Sequence, residues 1–244
     1  MLNLILNTDS YKTSHFAQYP QGTEYLSSYI ESRGGTYPAT IFFGLQLFLK
    51  KYLCCPVSMA DIDEAEAVCT AHSVPFNRCG WQHIVNHHGG YLPVEIEAVP
   101  EGTEVPTGNV LVQVVNTDPV CAWLTSYIET ALLRAVWYPT TVATVSNACY
   151  KIIRRYLLNT ADDLNGLPFK LHDFGARGAS SEETVAIGGL AHLVNFLCTD
   201  SLSAIVAGRR YYHADMAGFS IPAAEHRRLP AGGAMLKWRR IRIC

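Results

Sequence analysis

A chain of 244 residues, nearly half of them apolar, can build a sizeable core in one large domain or two small ones and is too apolar to stay disordered. Its net charge of −2 speaks against nucleic acid as the main ligand. Eight cysteines without C-x-x-C spacing give no disulfide framework and point to a reducing cytoplasm; no secretory leader and no membrane-length apolar stretch is read.

Residues 1–20 are irregular and polar, with Asp9-Ser10-Tyr11-Lys12 and Tyr19-Pro20. Tyr25 to Glu31 alternates as a strand. Ile41 to Leu53 reads as an apolar helix and Asp61 to His72 as a weaker, acidic one. Val94-Glu95-Ile96-Glu97-Ala98 alternates cleanly, and Val110 to Val115 is a second β-rich run. Pro100-Glu101-Gly102 and Pro106-Thr107-Gly108-Asn109 mark turns. Asp118-Pro119 reads as an N-cap followed by proline in the first helical position. The helix behind it places Leu124, Ile128, Ala131 and Ala135 on one face and is expected to stop before Pro139, with another from about Val142 to Leu158. Ser180-Ser181-Glu182-Glu183 fits a capping box opening a helix toward Leu193. Beyond it strands and helices alternate as in βαβ units.

The expected class is α/β. An N-terminal α+β part with antiparallel strands covers residues 1–165, and the first strands of an incomplete α/β barrel cover residues 166–226. Residues 227–244 form a separate tail with six basic and no acidic residues, whereas the first 226 residues sum to −8. A nucleic-acid arm is one reading of that tail; a segment foreign to the domain is the other.

Three segments end in polar groups where parallel strands would stop: Leu171 to Gly178, Phe196 to Asp200, and Phe219 to His226. Such groups converge on one mouth of an α/β barrel, where barrel enzymes do their chemistry. Phe174 and Arg177 share a loop with Gly175 and Gly178, which suits a flat polar ring or a phosphate and equally suits a plain turn. Asp200 is a hydrogen-bond acceptor or the N-cap of the next helix; local sequence favours the cap. His226 is a nucleophile, a general base or a structural histidine. His83, His87 and His88 precede a Gly-Gly turn and read as a solvated helix end, so no metal is assigned. No phosphate loop of the GxxxxGK[ST] or GxGxxG kind occurs.

Together these segments resemble the nicotinate/nicotinamide phosphoribosyltransferase family, and its nicotinamide-specific members most closely. The resemblance rests on Asn7 to Lys12, Gln18-Tyr19-Pro20, Phe43-Gly44-Leu45-Gln46, Ala98 to Gly102, Asn116 to Pro119, Trp137-Tyr138-Pro139, His172 to Gly175 and Pro222 to His226. It implies a type II phosphoribosyltransferase barrel and the joining of nicotinamide to phosphoribosyl pyrophosphate, giving nicotinamide mononucleotide and pyrophosphate, with Mg2+. It also implies a homodimer and roles for particular residues. Phe174, and Tyr11 from the partner subunit, would sandwich the ring. Asp200 would accept from the carboxamide and repel nicotinate. Asp9, Arg177 and Ser220 match other substrate-binding positions. Arg33, Arg177 and His226 match phosphate-contacting ones, with His226 phosphorylated when ATP hydrolysis is coupled. After His226 the residues depart from the family pattern, and family members are about twice as long. Loss of activity in this polypeptide is therefore expected, with a non-catalytic remnant that at most dimerises or binds a ring as the alternative.

Overall fold

The computed structural model of the chain describes residues 3–223, so His226 and the basic segment lie outside the described residues. Three strands, β1 (Ser27–Glu31), β3 (Val94–Ala98) and β5 (Val110–Asn116), form an antiparallel sheet in the order β1-β5-β3. Its register sets Ser27 opposite Val115 and Val94 opposite Asn116, and β1 is irregular between Ile30 and Glu31. The central strand β5 buries Val112, Val114 and Asn116, the face that alternation directs inward. A second, two-stranded antiparallel sheet pairs β2 (Ala39–Ile41) with β4 (Glu104–Pro106).

The first core packs the main sheet against α2 (Met59–Ala71), α3 (Arg78–His88) and α4 (Leu124–Tyr127), around Trp81, Ile84, Phe42, Ile5 and Leu124. Trp81 meets Trp123 and Tyr127 edge-on, with ring centroids 5.1 and 5.2 Å apart. Helix α2 opens on a reciprocal capping box between Ser58 and Asp61. The expected Asp118 cap is present: its carboxylate accepts from the Val120 N–H, with Pro119 next.

Three local expectations are corrected. Ile41 to Leu53 is not one helix. Ile41 closes β2, Gly44 turns the chain with a positive φ of 109°, and α1 (Leu45–Phe48) leads into a wide turn over Leu49–Leu53. The helix expected to stop before Pro139 runs straight through it, as α5 (Glu129–Thr160). Tertiary contacts outweigh the missing N–H there: the Thr140 hydroxyl bonds both the N–H and the C=O of Phe43, and Thr144 Oγ1 accepts from the Ile41 N–H. At α6 (Glu182–Leu193) the cap is Ser181, which accepts from the Thr184 N–H, so no Ser180–Glu183 box forms.

The second core joins α5 to the C-terminal part. Ile41, Phe43, Leu47 and Ala143 pack on Leu190 and Ala191 of α6 and on Ala204 and Ala207 of α7 (Leu202–Tyr212). Behind α6 and α7 the three polar-ended segments lie side by side. Asp173 bridges to Thr199 and Cys198 to Phe219, both in parallel sense. The bonds run from Asp173 N–H to Cys198 O, Asp200 N–H to Asp173 O, Thr199 N–H to Phe219 O and Phe219 N–H to Leu197 O, the slanted pattern of parallel strands.

Candidate active site

Because the three segments run parallel and in register, their C-terminal residues arrive together. His172 Nε2 lies 3.0 Å from Asp200 Oδ1, and the Ser220 hydroxyl donates to the same oxygen. An ionised carboxylate only accepts, so the His172 proton sits on Nε2. Nδ1 of His172 is then the basic nitrogen, buried and without a partner among the described residues. The His172 ring lies against Phe174, with centroids 4.3 Å apart and planes inclined at 33°. Phe174 remains half exposed, so part of its ring is free to cover a ligand.

Asp173 ties this mouth together. Its Oδ2 accepts from Thr199 Oγ1 at 2.8 Å and Ser201 Oγ at 2.7 Å, and its Oδ1 accepts from the Gly175 N–H at 2.8 Å. One carboxylate thus fixes the loop that carries Phe174 and the strand end that carries Asp200. Burial works against its charge, but the hydrogen bonds from Ser201, Gly175 and Thr199 outweigh burial and hold its pKa below the ordinary value. Asp200 is also held low, first by Ser220 and then by His172. Beneath them, His192 donates from Nε2 to the Leu171 carbonyl, so its Nδ1 accepts from Ser146. Burial lowers the His192 pKa and favours this neutral form.

His172, Asp173, Phe174 and His192 open onto a pocket of about 310 Å3 whose walls also include Tyr138, Gly188 and Ser201. A larger cavity of about 690 Å3 shares Tyr138 and Thr184 with it and extends to Asn7, Arg134 and Trp137.

The structure therefore brings Phe174, Asp200 and Ser220 together. Asp200 is not the cap that local sequence favours: α7 is preceded by Ser201, and the Asp200 carboxylate turns to His172 and Ser220 instead. Of the sequence candidates only Phe174 is in the pocket wall; Asp200 and Ser220 join it through His172, and the others lie elsewhere. On the N-terminal segment, Asp9 accepts from Thr130 Oγ1 of α5. Tyr11 is exposed there, edge-on to His15 and with Lys12 Nζ 5.1 Å from its ring centroid. Arg33 is exposed in the loop between β1 and β2, and Arg177 is exposed on the single turn Gly175–Gly178. His226 lies outside the described residues. Sequence reasoning gave no role to His172, Asp173, Thr199 or Ser201. The signal was present in the polar pairs His172-Asp173 and Thr199-Asp200, which place one group on each side of a strand end.

Residues 3–96 match the family described as "Nicotinamide phosphoribosyltransferase, N-terminal domain". Residues 169–235 match the "Nicotinate phosphoribosyltransferase (NAPRTase) family", a match that continues past His226 into the basic segment. The chain is 57% identical to a nicotinamide phosphoribosyltransferase of Xanthomonas campestris, over 95% of this chain and 49% of that relative. It is 32% identical to the enzyme of the same name from Acinetobacter baylyi, over 92% of this chain and 48% of the relative. The crystal structure of human nicotinic acid phosphoribosyltransferase superposes with a TM-score of 0.62 at 19% identity, over 88% of this chain and 39% of that one, and shares its fold. The chain spans about half the length of the curated relatives it matches, and over that span it is similar to the nicotinamide phosphoribosyltransferase family.

Proposed function

We propose that these residues are the nicotinamide-binding portion of a phosphoribosyltransferase that makes nicotinamide mononucleotide and pyrophosphate from nicotinamide and phosphoribosyl pyrophosphate. The observation that carries this reading is the Asp200 carboxylate. Its Oδ1 is occupied by His172 and Ser220, while Oδ2 has no hydrogen-bond partner among the described residues, and the same His172 ring lies against the half-exposed ring of Phe174. An acceptor next to a flat apolar face is what a neutral pyridine carboxamide needs, and it repels the carboxylate of nicotinate.

The reaction asks little acid–base work of this site. The pyridine nitrogen carries no proton, so it attacks the anomeric carbon directly with its lone pair. The bond from that carbon to the pyrophosphate oxygen breaks, and pyrophosphate leaves with the electron pair. Phe174 and Asp200 would hold the ring so that its nitrogen faces the sugar, which is catalysis by orientation. His172 and Asp173 hold Asp200 and the Phe174 loop in place.

The described donor set does not fit a resident Mg2+. Both Asp173 oxygens are engaged by protein donors, and Oδ1 of Asp200 is shared by two. Mg2+ would instead arrive on the pyrophosphate of the substrate. His226, the expected point of coupling to ATP, lies outside the described residues.

Tyr11 projects from the N-terminal surface rather than into the pocket, which supports a homodimer in which each subunit lends Tyr11 to its partner's ring site. Seven free cysteines among the described residues support a reducing compartment such as the cytoplasm, and no described helix is long and apolar enough to cross a membrane. The test is nicotinamide mononucleotide formation by a version extended to the length of its relatives, with nicotinamide or nicotinate as the base. Preference for nicotinamide is expected; equal use of both, or of neither, would remove the proposal.

A further inference from the structure

Two of the three histidines at the end of α3 are not part of a solvated helix end. His83 and His88 are both half-buried, and their Nε2 atoms lie 2.7 and 2.6 Å from one oxygen, Oδ2 of Asp118. The sequence hides this because Asp118 arrives from the far end of β5, 30 residues beyond His88. The three donor atoms all lie within 4.8 Å of one another. We propose that His83, His88 and Asp118 form a binding site for a divalent cation of the zinc class, clamped between the end of α3 and the turn that follows β5.

The donor chemistry sets the class. Two imidazole nitrogens and one carboxylate oxygen are a common set for Zn2+ and its late first-row neighbours, whereas Ca2+ and Mg2+ ask for mostly oxygen. Metal–ligand bonds of about 2.0–2.2 Å from three such atoms leave them roughly 3.3 Å apart in a tetrahedron. The two nitrogen–oxygen separations, 2.7 and 2.6 Å, are short of that spacing by only roughly 0.6–0.7 Å, so small side-chain shifts admit the ion. The partly exposed outer face leaves a fourth position for water or another ligand.

The scaffold holds these donors in place. Asp118 Oδ1 is engaged by the Val120 N–H at 2.9 Å, which leaves Oδ2 as a single aimed donor. The Asp118 carbonyl accepts from Asn116 Nδ2 and from the Cys121 N–H. Helix α3 is fixed at its start by the Asn77 cap and along its length by buried Trp81 and Ile84. His83 and His88 are five residues apart, so a regular helix would not align them. They nevertheless meet at Asp118 Oδ2, His88 being the last helical residue before left-handed Gly89 with a φ of 60°. His87, which helical spacing would pair with His83, instead stacks on its ring with centroids 4.4 Å apart and stays exposed.

On binding, each neutral imidazole coordinates through the Nε2 lone pair. The proton now shared with Asp118 moves through solvent to Nδ1, and the cation replaces two hydrogen bonds with three coordinate bonds.

The experiment uses the full 244-residue chain, fused to a soluble carrier without a histidine tag and stripped with chelator. It is titrated with Zn2+ by calorimetry and with Co2+ by visible absorption. One ion per chain is expected, with tetrahedral Co2+ bands lacking a thiolate charge-transfer band, and a raised Tm. His83→Gln and His88→Gln should each weaken binding by at least ~10-fold, the loss that outer-sphere partners alone already cause. Asp118→Asn should do the same while keeping an acceptor for the Val120 N–H. His87→Gln should bind as the unaltered chain does, and far-UV circular dichroism checks that each variant is folded. No ion uptake at micromolar concentration would overturn the proposal. So would uptake that survives the His83→Gln/His88→Gln double change, or a Co2+ spectrum of thiolate ligation, which would assign binding to the cysteines.

Discussion

Gly44 and Pro139 touch across a gap that admits no side chain: a Cβ on Gly44 would lie 2.3 Å from Pro139 Cγ and 2.7 Å from the Ala135 carbonyl oxygen. That carbonyl is the one whose helical donor the proline removes. Helix α5 continues through Pro139 because Gly44 lets β2 and its following turn close over the defect, with Thr140 and Thr144 bonding Phe43 and Ile41. Gly44 also holds a φ of 109°, unfavourable for any residue with a side chain. Gly44→Ala should therefore destabilise the chain by about 1–3 kcal/mol, read as a lower urea midpoint at constant m-value. An unchanged midpoint would mean that β2 and α5 separate without cost.

What sequence could and could not reveal follows the same division between local and distant causes. The strand β3 was legible in Val94-Glu95-Ile96-Glu97-Ala98 because alternation is set by the strand itself, and the Asp118 cap was legible because its partner is two residues away. The parallel segments were legible from their polar ends, and the fold class with them. Helix α5 through Pro139 was not, since its support comes from Phe43, nearly a hundred residues earlier. Asp200 looked like a cap because nothing local points to His172 or Ser220. His83 and His88 looked solvated because Asp118 is out of reach along the chain.

Asp173 should give the fold an acid-sensitive step. Its folded pKa is depressed below the ordinary aspartate value, so the folded state holds fewer protons than the unfolded one near that pH. Its stabilising contribution is fully present above the unfolded pKa and is lost as pH falls through the folded pKa. Asp173→Asn should lower stability at neutral pH and flatten the decline below about pH 4, where the parent loses its advantage. Parallel pH–stability curves for the two proteins would exclude Asp173 as the source.

Asp200→Ser, in a version extended to the length of the relatives, should narrow the gap in kcat/KM between nicotinamide and nicotinate by roughly tenfold or more, the equivalent of about 1.4 kcal/mol of repulsion removed. The hydroxyl can donate as well as accept, so it tolerates a substrate carboxylate. Unaltered discrimination would place selectivity elsewhere.

The 244-residue polypeptide produced by itself should form no nicotinamide mononucleotide and should be poorly soluble. Arg33 and Arg177, the described phosphate candidates, do not line the pocket. The three parallel segments leave Phe169, Leu197, Phe219 and Ile221 exposed at their edge, an apolar surface that invites association. Purified monomer or dimer with turnover would contradict both expectations.

The central claim is that the mouth formed by His172, Phe174 and Asp200 receives the pyridine carboxamide. The most direct measurement is a crystal structure of the extended protein with nicotinamide bound. The account predicts the ring against the free face of Phe174, with the carboxamide nitrogen within hydrogen-bond distance of Asp200 Oδ2. A ring bound away from Phe174, or a carboxamide that turns from Asp200, would contradict it.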